Sequence, residues 1–213
     1  MVAGLVDFIL HIDVHLDAIV SAYPTLAYFF LFLVIFVETG FVVMPFLPGD
    51  SLLFVVGALS AVGSLNILFS FFILFFAAVI GDTVNYHIGR YVGPRVFRAK
   101  SSWLFNKEHL FRAQAFYEKH GKKTIVLARF VPIIRTFAPF VAGIGNMKYS
   151  DFIKYNLVGA LLWCGLFVFG GFLFGNIPFV KNNFGIFIIG IIFISLLPLI
   201  YELLKSFMSK CLH

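Results

Sequence analysis

Long apolar runs alternate with short polar breaks along this chain, and the positions of the breaks predict its elements. Within residues 1–23, Asp7, His11, Asp13, His15 and Asp17 occupy a little over half of a helical wheel, with Phe8, Ile9, Ile12 and Leu16 among the apolar remainder. That division predicts an amphipathic helix lying at a membrane interface rather than a span. From Thr25 to Leu47 the chain is apolar apart from Glu38, and it stops at Pro45-Phe-Leu-Pro48-Gly49-Asp50. Ser51 to Ile80 holds no charge and is too long for one span of about 20 residues, with a turn at Gly63-Ser-Leu-Asn66. Ser51–Val62 is therefore a half-span, and residues 24–62 read as a broken segment that dips into the bilayer and returns.

A full span over 67–88 follows, ending in Gly81-Asp82 and Tyr86-His87. The stretch 90–123 is polar, with a short surface helix expected at 107–120 on the face of Leu110, Phe111, Gln114 and Tyr117. Residues 124–147 are apolar again, but two prolines, two arginines, Gly143 and Gly145 argue against a continuous helix, which makes this the second broken segment. Spans at 155–175 and 184–204, joined by a loop from Asn176 to Asn183, complete the chain. The predicted fold class is an all-α integral membrane protein, a single domain over 1–213. It is a polytopic helical bundle with two opposed re-entrant hairpins in a pseudo-inverted repeat, an arrangement used by transporters.

Composition removes the alternative of a soluble domain. The chain is 61% hydrophobic and 12% charged, with 30 Phe, whereas soluble domains carry about 25% charged residues. The two cysteines, Cys164 and Cys211, have no metal-ligand or disulfide spacing. Charge fixes the expected sidedness. All 16 Lys and Arg lie at or after Arg90, and six of the 10 acids precede it. Basic loops stay cytoplasmic, so 90–123, Lys148, Lys154, Lys205 and Lys210 are placed inside, with Lys181 the exception, and the loops of the first half outside. Nucleic-acid binding is the weaker reading of the basic balance. A cleaved signal peptide is not expected, because the first residues lack a basic start and acids interrupt any apolar core.

The candidate chemistry lies in the charges within apolar segments: Glu38 and Asp50 in the first broken segment, Arg129 and Arg135 in the second. A charge near the bilayer centre costs about 2.5–3.5 kcal/mol and usually marks a functional path. Buried ion pairs that merely tie the two segments together are the structural alternative, but such pairs seldom stabilise more than an apolar pair would. A path explains more: the planar arginine fork suits phosphate, and a carboxylate in low dielectric tends to hold a proton, which would let Glu38 or Asp50 couple movement to a proton gradient. Asp82, Tyr86 and Arg90 form a secondary group, either an interfacial cluster in which Tyr86 and Arg90 anchor the helix end or part of the path. His87 reads as a structural hydrogen bonder. Gly81, Gly89 and Gly93 read as close helix packing, as do Trp163 and the glycines at 165, 170, 171 and 175. Hydrolase elbows, Walker-type phosphate loops, zinc-protease motifs and the His, Arg and Asp clusters of intramembrane lipid phosphatases are missing, so neither catalysis nor a cofactor or metal is expected.

Several motifs together carry a resemblance: Glu38-Thr-Gly40, Pro45-x-x-Pro48-Gly49-Asp50, Gly81-Asp82 through Tyr86 and Gly89-Arg90, Arg129-Phe-x-Pro132-x-x-Arg135 with Pro139 and Ala142-Gly143, and Asn156-x-x-Gly159-Ala160 with Trp163. Over roughly residues 8–200 the chain resembles the DedA family of bacterial inner-membrane proteins. The resemblance implies two opposed re-entrant loops and lipid handling in the envelope. Family members look like translocases for undecaprenyl phosphate or phospholipid head groups, several driven by the proton motive force. It places the family's acidic pair on Glu38 and Asp50 and its arginine pair on Arg129 and Arg135. The expected partners are an anionic lipid, protons and the bilayer. An intramembrane enzyme acting on a lipid phosphate, with Glu38 or Asp50 as base, and a proton-coupled small-ion transporter are the alternative functions.

Overall fold

Breakers and caps set where each helix starts and stops in the computed structural model, which describes residues 23–41, 49–92, 107–182, 187 and 190. The amphipathic helix expected before Tyr23, the proline break at 45–48, Gly93 and nearly all of the last expected span lie outside the described residues. Helix α1 (Pro24–Gly40) opens on proline, whose fixed φ suits a first helical turn. Helix α2 (Gly49–Ala61) ends before Gly63, which takes the φ of +94° that the turn requires. Asn66 caps α3 (Ile67–Val92), its Oδ1 accepting the Phe69 N–H at 3.0 Å. Then come α4 (Lys107–His120), a 3-10 turn at Gly121–Lys123, α5 (Thr124–Leu127) and a second 3-10 turn at Ala128–Phe130. Helices α6 (Pro132–Ile144) and α7 (Tyr149–Cys164), a π-helical turn at Gly165–Phe169, α8 (Gly170–Gly175) and α9 (Pro178–Asn182) complete the order, with no strand among the described residues.

Among the described residues, two helices are long and apolar enough to cross a membrane, Ile67–Val92 and the continuous stretch Tyr149–Gly175. At 1.5 Å per residue the first is about 39 Å long, more than the roughly 30 Å hydrocarbon core. The apolar stretches Thr25–Gly40, Gly49–Ala61 and Ile134–Ile144 fall short of a span. Both long helices turn bulky apolar side chains outward: Phe72 and Phe76 are 52% exposed and Leu161 53%. Glu38, Asp82, Asn85, Arg129, Arg135 and Asn156 are buried instead. This inverts the pattern of a soluble protein, where charged side chains are almost never inside.

Three sequence expectations shift. Helix α3 does not end at Tyr86-His87 or at 88 but runs to Val92, because Asp82, Asn85 and Tyr86 are buried against other helices and so do not mark a helix end at a watery interface. Helix α7 begins at Tyr149 rather than Tyr155, leaving Lys154 exposed within it; Lys148 in extended backbone supplies the N-cap position. Helix α4 has the expected bounds but a different buried face. Ala113 is fully covered and Tyr117 partly so, whereas Phe111 is 55% exposed; Leu110 lies outside the described side chains.

The chain forms two compact units. One comprises the described residues within 1–27, 48–70 and 167–213. Here α2 and α8 meet backbone to backbone: a Cβ on Gly57 would fall 2.0 Å from the Val168 carbonyl oxygen, and one on Gly171 2.0 Å from that of Phe54. Such contact is how helices associate in lipid, where water does not drive apolar surfaces together.

The other unit comprises the described residues within 28–47 and 71–166. Its core joins Ala113 of α4 to Phe137, Phe140 and Val141 of α6, and Tyr86 of α3 to Ile125, Ala142, Met147 and Phe152. Tyr86 stacks on Phe152 at 4.4 Å and donates its hydroxyl to the Met147 carbonyl. His87 donates Nδ1–H to the Thr83 carbonyl at 2.7 Å, the structural role expected of it. At the start of α7, the exposed Lys122 ammonium donates to Asp151 at 2.6 Å, a bond that holds the lysine above its usual pKa.

Candidate functional site

The site of interest lies within the second unit and begins with a local break. Proline disfavours helical backbone in the residue before it, and Val131, ahead of Pro132, is extended at φ −120° and ψ 103°. Arg129 stands just before this break, in the 3-10 turn, and Arg135 just after it, in the first turn of α6. On an unbroken helix two residues six apart point about 120° away from each other around the axis. The extended Val131 removes that constraint, and both guanidinium groups reach one indole: their central carbons lie 5.6 Å (Arg129) and 5.1 Å (Arg135) from the Trp163 ring. Pro139 breaks nothing; it sits inside α6.

Each arginine meets a carboxylate from a different helix. Arg135 Nη2 donates to Glu38 Oε1 of α1 at 2.5 Å. Arg129 Nη2 donates to Asp82 Oδ2 of α3 and also to Asn156 Oδ1 of α7, the latter at 2.6 Å. Asn156 is itself tied to α3, its Nδ2 donating to the Val79 carbonyl at 3.1 Å. Asn85, one turn from Asp82, donates to the Thr39 and Thr136 carbonyls at 3.1 and 2.8 Å, clamping α1 and α6 to α3. Gly159 gives Arg129 its room, since a Cβ there would stand 3.0 Å from Arg129 Cδ and 3.1 Å from its Nε. The four ionised side chains are between 0% and 7% exposed.

The arrangement is an electrically balanced, buried set of two cations and two anions around an aromatic ring. Placing two guanidinium groups over one indole adds cation–π attraction of about 0.5–2 kcal/mol each. Arginine forks can bind an anion with several oxygens in two-point fashion; here each arginine is held by a carboxylate. Among the described residues no cluster of His, Cys, Asp and Glu could hold a metal.

Of the four principal residues from the sequence, Glu38, Arg129 and Arg135 are brought together here. Asp50 is half-buried in the first turn of α2, in the other unit. The carboxylate on Arg129 comes from Asp82, which the sequence had placed in the secondary group. The rest of that group divides. Tyr86 is wholly buried, which removes it as an interfacial anchor, and Arg90 is exposed near the end of α3. Sequence reasoning passed over Asn156 and Trp163 as site residues, although a signal existed. Asn156, Gly159, Ala160 and Trp163 recur at three, four and seven residues, so one face of α7 carries an amide, two small residues and an indole.

The family model described as the VTT domain matches residues 47–173. Protein DedA of Escherichia coli (strain K12) is 53% identical over 203 residues, covering 94% of this chain and 93% of that protein. An uncharacterized membrane protein of Mycobacterium leprae (strain TN) is 41% identical over 83% of this chain and 79% of its own length. Inner membrane protein YqjA of Escherichia coli (strain K12) is 34% identical over 71% of this chain and 69% of that protein. No solved structure matches. With its two long apolar helices, the motifs that gather around Trp163 and matches running over most of its length, the chain belongs to the DedA family of VTT-domain membrane proteins.

Proposed function

We propose that this protein moves an anionic, phosphate-bearing lipid between the leaflets of the bacterial inner membrane, undecaprenyl phosphate being the preferred cargo and a phospholipid the next. The observation that carries the reading is the pair of buried arginines, each held by one carboxylate oxygen and both against Trp163, in a protein whose outward faces are apolar. A lipid phosphate needs cations inside the membrane and a greasy exterior along which its tail can slide. Arg129 and Arg135 bind the headgroup; the positive end of α6 adds to their field. Glu38, with Asp50 as the second acid, takes up a proton, loosens the competing ion pair and links movement to the proton motive force. The protein transports and does not catalyse.

The reading includes a chain path. Residues 24–62 enter from the outer face and return to it, residues 124–147 do so from the inner face, and the two form an inverted pair. The basic segment 90–123 and the C-terminus are cytoplasmic. Cysteines introduced one at a time over 176–183 should therefore react with an impermeant reagent from outside, and a cysteine at Lys107 should not; the reverse pattern overturns the path.

Reconstituted vesicles test the function. Labelled polyprenyl phosphate should exchange between leaflets in the presence of the protein, faster under a proton gradient, while the corresponding alcohol should not. Phosphate release without exchange would replace this reading with an intramembrane enzyme. Proton-linked ion flux without lipid movement would replace it with a small-ion transporter.

A further inference from the structure

We propose that Asp82 is a resident counter-anion: it occupies Arg129 in place of a phosphate headgroup, and binding and release at Arg129 proceed by exchange of one anion for the other. This rests on the lipid-phosphate reading and assigns the exchange to a residue outside the acidic pair Glu38 and Asp50.

The hydrogen bonds of Arg129 carry the argument. Its acceptors, Asp82 Oδ2 and Asn156 Oδ1, both converge on Nη2, while Nε and Nη1 are buried and have no hydrogen-bond partner among the described residues. Nη2 carries two hydrogens, one in each of the two forks of a guanidinium group. Both forks are thus half filled. A bridge whose purpose is to hold helices together gains most when the carboxylate spans a fork with two bonds, and a buried donor left unmade is destabilising by about 1–3 kcal/mol. This geometry instead leaves arginine donors for a ligand with more oxygens than a carboxylate has. A phosphate monoester has three terminal oxygens and a charge near −2, enough to fill a fork and displace Asp82.

The surroundings permit exchange without unfolding. Asn156, anchored on the Val79 carbonyl, holds the guanidinium through a neutral acceptor that remains when the carboxylate leaves. Gly159 seats the arginine stem. Asp82 and Arg129 belong to different elements, and the Arg129 side ends at the break before Pro132, so the two can part without breaking a helix. Arg135 is within electrostatic reach of Asp82, and Glu38 balances Arg135. Departure of Asp82 from Arg129 therefore leaves one uncompensated positive charge, which an incoming anion neutralises.

The test uses the full-length protein carrying Trp103→Phe, so that Trp163, beside Arg129, is the sole indole and its fluorescence reports binding. A short polyprenyl phosphate is titrated in one arm and inorganic phosphate in the other; tighter binding of the lipid identifies the headgroup of a lipid, and equal binding a free phosphate, as the anion. Asp82→Asn should bind the phosphate probe about tenfold more tightly and exchange lipid more slowly, because release has lost its competitor. Arg129→Gln should not bind. Asp82→Ser serves as a second neutral variant, and thermal unfolding in detergent checks both. If the unmodified protein binds through Arg129 but a folded neutral variant binds no more tightly, Asp82 is structural and the inference falls alone. If the unmodified protein binds neither probe, the lipid-phosphate reading falls and takes the inference with it. If neither neutral variant folds, Asp82 is a determinant of the fold and the inference is overturned.

Discussion

Arg135→Ala is expected to reduce leaflet exchange of polyprenyl phosphate by about 100-fold or more in reconstituted vesicles. The substitution removes a buried, charge-assisted donor from the headgroup site; contacts of that kind are worth about 3 kcal/mol, and each 1.4 kcal/mol is a factor of ten. It also takes from Glu38, at 0% exposure, the cation with which it is paired. Breaking a buried pair on one side destabilises by about 3–5 kcal/mol, so the variant should also melt at a lower temperature in detergent. The double variant Glu38→Gln, Arg135→Gln separates the two effects: with no charge left over it should regain most of the stability and none of the exchange. Recovery of exchange in the double variant would show that the pair serves only the fold. Undiminished exchange in a folded Arg135→Ala would refute the role given to the arginine.

Gly57→Val, outside the arginine cluster, should be strongly destabilising. The added Cβ would stand 2.0 Å from the Val168 carbonyl oxygen and 2.9 Å from the Phe172 nitrogen, all of it backbone that cannot swing aside. Helix α2 and the segment carrying α8 would have to separate, and the loss should reach about 3 kcal/mol, the upper part of the range for overpacked interiors. Gly171→Ala, facing the Phe54 carbonyl at 2.0 Å, should act in the same direction. Gly165→Ala is the control, since nothing lies within 4 Å of its added carbon, and its melting temperature should match that of the unmodified protein. Equal melting of all three variants would mean that this close approach contributes nothing.

The helical class, the membrane setting and most helix limits were legible because they depend on local rules. Pro24 starts α1, the Gly63 turn separates α2 from α3, and Pro132 opens α6 after an extended residue. Each acts through φ, ψ or a missing N–H, and none needs a distant partner. Helix ends marked only by polarity were misplaced. Asp82, Asn85 and Tyr86 look like a helix end when water is the assumed neighbour, but their neighbours are Arg129, two backbone carbonyls and Phe152.

By itself, then, the sequence determined that this chain is helical, apolar on its outside and broken within residues 124–147, since periodicity and proline chemistry act over a few residues. Only the tertiary structure decided that Asp82 is the acid on Arg129, that Asn156 steadies it and that one indole serves both cations. Those partners lie 27 to 47 residues apart in the chain, and which carboxylate meets which guanidinium depends on the rotation and close approach of separate helices, a quantity that no local pattern encodes.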